Sequence, residues 1–469
     1  MKIIIVGAGK VGYTLAENLA MDQNYDITVI DKDADALAKA DENLDVLCIK
    51  GNGVSTNILM EAGVIDTDLI IAVTGSDEVN MLCCLTAKKL GAKKAVARVR
   101  NPEYSQELSI IKDQIGLDFV INPEFAAAEE IARSMGFTSA INVENFAKGR
   151  VRMVDFIVRE GMGLIGKTIA DIDKESKSTV LIGIIVRNNK VLVPNGSTVI
   201  EENDHIYVIG NPSSVYSFCK YHGKNPDKIK NVIIVGGGRI TYYLYKLLVG
   251  MGINTKIIEI NSSRCLELAD ELPNALIIND DGTDEAVLRS ENIDTIDGFI
   301  AVTGIDEENI MASLIAKNLG VKKVITKVSR TNYDNIVTHL GLDTVISPKQ
   351  ITTNLILKFV RGKSVESLHR IVDGQAEVIE FAVDKSSGLI DKPLKNIKIV
   401  SDTIIATIVR RKEVVVPHGK DLIKAGDRII VITKKQNIST PKELISKANG
   451  GLQNELLNGI KRIGDIINM

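Results

Sequence analysis

The chain predicts an α/β fold in which two tandem doubly wound parallel sheets are each followed by a small α+β lobe. Three observations carry this expectation. Short β-branched runs alternate with helical patterns, a glycine-rich loop joins the first run to the first helix, and the whole arrangement is written twice.

The runs at 3–6, 27–30, 46–49, 69–73, 95–99 and 119–121 are apolar without alternation, as suits parallel strands buried on both faces. Between them, 13–20 and 80–90 carry helical periodicity, and Gly91 is placed to cap the second helix. Such alternation builds right-handed βαβ units. The stretch 151–212 differs in kind. Its runs at 153–158, 180–186, 190–194 and 205–210 are separated by Gly161, Gly163 and Asn188-Asn189, which supply turn chemistry.

Val6-Gly7-Ala8-Gly9-Lys10-Val11-Gly12 recurs 229 residues later as Val235-Gly236-Gly237-Gly238-Arg239-Ile240-Thr241. The same offset maps the segment Ile71 to Glu78 onto Ile300 to Glu307, with Asn80 and Asn309 following. Late in each half, Val193-Pro194-Asn195-Gly196 matches Val416-Pro417-His418-Gly419, and the segment Asp204 to Ile209 matches Asp427 to Ile432. A tandem duplication follows. Strand runs recur at 232–235, 255–258, 275–278, 299–302 and 324–328, and a second small module spans about 376–433. The expected divisions are 1–140 and 229–352 for the large lobes, and 141–224 and 366–436 for the small ones. A polar linker is expected at 220–230. In the tail 441–469, Ile445, Ala448, Leu452, Leu456, Ile460, Ile463 and Ile467 recur at amphipathic-helix spacing.

Composition narrows the function. The 469 residues include 57 basic and 60 acidic side chains in interspersed order, aromatics are 4%, and Trp is absent, which argues against nucleic acid as a partner. No apolar run approaches the ~18 residues of a membrane span. The opening residues lack a signal-peptide pattern. Five cysteines without CxxC spacing indicate neither a disulfide framework nor a metal site.

The glycine loop follows a buried strand and opens a helix, and Asp31 closes the next strand, the context of a Rossmann-like dinucleotide site. Gly7 makes the tight turn, Gly9 admits a phosphate to the backbone, Gly12 lets helix and strand pack, and Asp31 accepts from ribose hydroxyls. Ala8 and Val11 complete the loop, and the helix N-terminus offers N–H groups and a positive dipole. In copy two, Gly236, Gly237, Gly238 and Ile240 form the loop, Glu259 is the acidic partner, and Thr241 replaces the third glycine. Lys10 and Arg239 occupy matching places, where a cation can neutralise a phosphate of its own ligand or of a neighbouring one. At the carboxyl ends of later strands stand Thr74-Gly75, Thr303, Asn52, Asp281 and Arg98. Asp77 and Asp306, at helix starts, are expected to cap. The histidines at 205, 222, 339, 369 and 418 do not repeat between copies, and no metal triad or nucleophile elbow is present, so catalysis is not indicated.

The segments MKIIIVGAGKVGYTLAENLA, IIAVTGSDEVNMLCC, ARVRNPEY and INPE resemble the TrkA family of Trk potassium-uptake regulatory proteins, and the VPNG and VPHG modules resemble the C-terminal lobes of RCK domains (regulators of K+ conductance). The resemblance covers nearly the whole chain up to about Lys435. It implies a cytoplasmic, non-enzymatic subunit that binds NAD(H) and ATP or ADP. It also implies a homo-oligomer, a dimer or tetramer forming a ring of RCK domains, held on the inner face of the cell membrane by a TrkH-type channel. Asn52 stands where many RCK domains carry Asp, and Thr241 where they carry Gly.

Overall fold

In the computed structural model, the described residues are 1–21, 24–135, 142–175, 179–222, 229–330, 333, 337, 340–342, 344–362, 364–372 and 374–446. The first sheet contains β1 (Lys2–Val6), β2 (Asp26–Asp31), β3 (Leu47–Lys50), β4 (Leu69–Ala72), β5 (Lys94–Arg98) and β6 (Phe119–Ile121). Its strands are parallel in the order β3-β2-β1-β4-β5-β6. Residues 3–6 and 69–72 are buried throughout, which is why these runs lack polar alternation. The order reverses at β1, so the loops after β1 and β4 open side by side at the carboxyl edge, where such sheets bind ligands.

The first small lobe is an antiparallel sheet of β7 (Val143–Phe146), β8 (Val151–Ile157), β9 (Val180–Arg187), β10 (Lys190–Leu192) and β11 (His205–Gly210), with helices Ile169–Glu175 and Pro212–Tyr221. The latter runs into the stretch read as a linker. Copy two repeats the large sheet with β12 (Asn231–Val235), β13 (Asn254–Glu259), β14 (Leu276–Asn279), β15 (Gly298–Ala301), β16 (Lys323–Lys327) and β17 (Thr344–Ile346), in the equivalent order. The second small sheet contains β18 (Val365–Ile371), β19 (Ala376–Ala382), β20 (Thr403–Arg410), β21 (Glu413–Val415) and β22 (Arg428–Thr433). β7 and β18 are additions to the sequence reading. Their half-polar patterns suit edge positions better than the interior runs that the sequence reading sought.

The two copies are interlocked. Helix Pro123–Met135 follows β6 of copy one, yet buries Ala127, Ala128, Ile131 and Met135 in one core with Ile240, Leu244 and Leu248 of helix Arg239–Gly250. Helix Pro348–Arg361 makes the reciprocal move, placing Ile356, Leu357 and Val360 with Leu15 and Leu19 of copy one. Phe359 stacks on Phe119 with centroids 5.3 Å apart and planes within 8°. Tyr243 Oη accepts from Asn122 Nδ2 at 2.8 Å across the same seam.

The small sheets also pack together. Met153, Ile184 and Ile209 share a core with Val378, Ala406, Ile430 and Ile432. A Cβ on Gly183 would lie 2.3 Å from Cδ1 of Ile432, so any larger residue makes that side chain shift where the sheets touch. The tail departs from expectation at its start. Pro441–Leu444 is a single 3₁₀ turn, Leu444 is fully buried, and Ile445 bridges to Ile399, so these residues are held by tertiary contacts rather than by a helix. The rest of the expected helix, 447–469, lies outside the described residues.

Candidate functional site

Gly7 adopts φ +107°, and a Cβ there would meet the backbone of Val73 and Thr74 at 3.0–3.1 Å. The β1 loop therefore presses directly on the β4 loop, and only glycine allows it. A Cβ on Gly12 would lie 1.7 Å from the Gly7 carbonyl oxygen, while one on Gly9 meets nothing within 4 Å. These are the three separate demands of a dinucleotide loop: turn, helix packing, and open space above the backbone. Gly9 is the N-cap of helix Lys10–Ala20 and no side chain caps it, leaving the first-turn amides free for an anion.

Asp31 anchors the loop. Its Oδ2 accepts from Ala8 N–H at 2.5 Å and its Oδ1 from Asp33 N–H at 3.0 Å. A carboxylate offers about four acceptor positions, so two remain for ribose hydroxyls. Around this loop lies a cleft of about 590 Å³ lined by Gly7, Gly9, Lys10, Val11, Asp31, Asn52, Thr74, Gly75 and Arg98. Ala8 is buried behind it.

Copy two has a cleft of about 620 Å³ lined by Gly236, Gly237, Gly238, Glu259, Asp281 and Thr303. Glu259 Oε2 accepts from Gly237 N–H at 2.5 Å, and its Oε1 accepts from Asn261 N–H at 2.8 Å, repeating the Asp31 pattern with a longer side chain. Thr241 is accommodated because its hydroxyl donates to the Gly236 carbonyl, the counterpart of the oxygen that a Cβ at Gly12 would strike. Ile240 lies in the core under helix Pro123–Met135 and does not line the cleft.

The cations divide unequally. Lys10 lines its own cleft, whereas Arg239 does not line the copy-two cleft but acts electrostatically on Glu124, a lining residue of the copy-one cleft. Burial raises the Glu124 carboxyl above its usual range against Arg100, Arg98 and Arg239, and its Oε2 has no hydrogen-bond partner. Arg98 donates to the Thr74 carbonyl, and its Nε is buried without a partner; burial lowers its pKa. Ser329, Pro348, Lys349 and Thr352 of copy two complete the wall, so the first cleft is built by both copies.

Asp77 and Asp306 do not cap their own helices. Ser76 Oγ caps the first by accepting from Val79 N–H at 3.2 Å. Asp77 Oδ2 instead accepts from Arg100 N–H and Asn101 N–H at 2.8 and 2.9 Å, and Asp306 Oδ2 does the same for Ser329 and Arg330 at 3.0 and 3.1 Å. Each sits at the first helical residue, where its carboxylate faces the loop after the next strand rather than its own amides.

Sequence reasoning missed several participants. Asn80 is fully buried, accepts from Thr74 N–H at 2.8 Å and Thr74 Oγ1 at 2.7 Å, and donates to the Arg98 carbonyl at 2.9 Å. Asn309 repeats the two backbone bonds, accepting from Thr303 N–H at 2.7 Å and donating to the Lys327 carbonyl at 3.1 Å. Gly53 and Gly282 line the two clefts, and a Cβ on either would strike Val6 or Val235 at 2.2 or 2.5 Å. All four keep the 229-residue offset, which was the available signal. Arg264, whose Nε donates to the Gly237 carbonyl at 2.8 Å, has no such mark.

Comparison with known proteins agrees with this geometry. The TrkA-N domain model matches residues 3–123 and 232–348, and the TrkA-C domain model matches 153–223 and 378–446. The chain is 39% identical over 453 residues to Trk system potassium uptake protein TrkA homolog 2 of Methanosarcina mazei, covering 95% of this chain and 100% of that one. It is 32% identical over 452 residues to Trk system potassium uptake protein TrkA of Haemophilus influenzae, covering 95% and 98%. Among solved structures, the GsuK RCK domain superposes with a TM-score of 0.60 at 18% identity, covering 92% of each chain. The GsuK channel bound to NAD does so with a TM-score of 0.59, also at 18% identity, covering 92% of this chain and 76% of that one. These two likenesses establish the RCK fold.

Proposed function

The chain belongs to the TrkA family of Trk potassium-uptake regulatory proteins, and from that premise we propose that its two clefts sense NAD(H) and ATP or ADP and pass their ligand state to a TrkH-type channel. The observation that carries this reading is the shared construction of the first cleft, whose wall is finished by Ser329, Pro348, Lys349 and Thr352 of copy two. A ligand there touches both copies at once. It shifts their arrangement by as much as it binds one arrangement better than another.

In this reading the first-turn amides beyond Gly9 and Gly238 hold phosphates, with Lys10 and Arg98 adding charge in copy one. Asp31 and Glu259 take ribose hydroxyls. Asn52, Thr74 and Gly75 in one cleft, and Asp281 and Thr303 in the other, close the walls. As a member of a family of regulatory subunits, the chain uses the ligand as a signal and not as a reactant. No helix among the described residues is long and apolar enough to cross a membrane. In this reading the pore belongs to the channel subunit, and this chain sits on its cytoplasmic side as a homo-oligomeric ring, dimer or tetramer.

The test is capture of a purified TrkH-type subunit by this protein, with and without NADH and ATP, alongside titrations of each nucleotide. Asp31→Ala is expected to weaken binding at the first cleft and to remove the nucleotide dependence of capture. Nucleotide binding that is undetectable in the parent, or unaffected in both Asp31→Ala and Glu259→Ala, overturns the reading.

A further inference from the structure

Glu144 and His369 occupy the same position in the two copies. Glu144 pairs with Met153 and His369 with Val378, and those residues face Ile209 and Ile432, which correspond in the repeat. These equivalent residues meet across the seam between the small lobes, with His369 Nδ1 3.2 Å from Glu144 Oε1. Ser367 Oγ lies 3.1 Å from Nε2, and Phe146 stands edge-on to the imidazole at 5.0 Å. The charged groups acting on the imidazole are Glu144 from β7, and Glu130 and Arg133 from helix Pro123–Met135. Two nearby arginines are occupied elsewhere: Arg152 of β8 bonds Asn145 Oδ1 at 3.3 Å, and Arg370 of β18 lies 3.6 Å from Glu377. Three segments from separate lobes thus converge on one cluster.

We propose that Glu144 and His369 form a proton-operated latch joining the two small lobes. Two identical small lobes would bring Glu against Glu or His against His at this position. The duplicated chain brings acid against base, which favours pairing of unlike copies over like ones. The pair is closed when Glu144 is ionised and His369 is charged.

The direction of pH dependence follows from the surroundings. Burial opposes the charge of His369, but Glu144 and then Glu130 outweigh it and raise its pKa above 6.5. Burial also opposes the charge of Glu144, and His369 outweighs it, holding the carboxyl below its usual range. Glu130 is pushed up to about 7 by burial and then by Glu144. A raised pKa stabilises below the unfolded value and is lost as pH rises through the folded one, and this holds for His369 and Glu130 alike. The lowered Glu144 contributes above its ordinary 4.5 and is lost as pH falls through its folded value. The latch is therefore closed in mild acid, with Glu144 ionised, and loosens as pH rises through the raised folded pKa of His369.

The test is amide exchange of residues 143–146 and 365–371 in the full chain at pH 6 and pH 8, corrected for intrinsic exchange. The parent is expected to lose protection about tenfold, the equivalent of one pKa unit. His369→Gln is expected to show a low, flat profile. Should His369→Gln fail to fold, the exchanged pair Glu144→His with His369→Glu is expected to fold and to show protection at pH 6. Parental pH dependence in His369→Gln, or no protection in the exchanged pair, overturns the latch.

Discussion

Transferring the threonine of copy two into copy one, Gly12→Thr, sets a sequence argument against a structural one. The repeat tolerates threonine at this place, so homology alone predicts a silent change. A Cβ at position 12 lies 1.7 Å from the Gly7 oxygen, so the carbonyl must withdraw by about 1.3 Å to reach even the 3.0 Å limit of real contacts. It is poorly placed to do so. Gly7 N–H donates to Ile30 at 2.8 Å, and its Cα backs onto the Val73 and Thr74 backbone. The loop must therefore move as a unit, taking Ala8 N–H from Asp31 and the first-turn amides from the cleft. Overpacking of this kind costs about 1–3 kcal/mol of stability. Losing one hydrogen bond to a charged phosphate costs a further ~1.5–3 kcal/mol of binding. Titrating NADH fluorescence in a Glu259→Ala background, where the second cleft is already weakened, is expected to show at least about a tenfold loss of affinity at the first cleft. An unchanged affinity together with an unchanged melting temperature would refute the reasoning.

Three further outcomes are expected. Asn80→Ala leaves Thr74 N–H and the Arg98 carbonyl without their partner, at about 1–3 kcal/mol for each group left unsatisfied. It should lower the melting temperature and weaken nucleotide binding together, where a purely local role would do only the first. Arg361→Ala strips the buried Glu377, 0% exposed, of its two bonds at 2.7 and 2.8 Å. Urea unfolding should show a loss of about 3–5 kcal/mol, and the double change to methionine at 361 and 377 should recover most of it. Thr241→Gly removes the hydroxyl that serves the Gly236 carbonyl, and calorimetry should find a loss of about 1–2 kcal/mol from the bond and the added helix flexibility.

Much of the architecture was legible because duplication doubles every signal. Gly7 and Gly12 could be assigned their roles from spacing, and the structure puts a backbone atom against each. Gly53 and Asn80 were equally readable through the 229-residue offset, but one has no role in a standard fingerprint and the other was noted without one. Helix Pro123–Met135 shows the limit. Its alanines and Ile131 announce an apolar face, yet nothing in a periodic pattern says that Leu244 and Leu248 of the other copy will cover it. Arg264 and His369 were hidden for the opposite reason: each performs in one copy what the other copy does not repeat.

The exchange of helices between the large lobes also sets a timetable for synthesis. When Met135 has left the ribosome, the surface that buries Ala127 and Ile131 does not yet exist, since helix Arg239–Gly250 is more than a hundred residues away. At roughly 5–20 residues per second, that interval is on the order of ten seconds. Leu15 and Leu19 meet their own sheet early, but their cover from copy two arrives only when the chain has grown to Arg361. The first half thus remains an unfinished body through most of translation, with an apolar helix exposed to chaperones and to other nascent chains. Encoding both copies in one polypeptide shortens that exposure. The missing partner arrives tethered, at the high effective concentration of a linked segment, instead of being sought in solution.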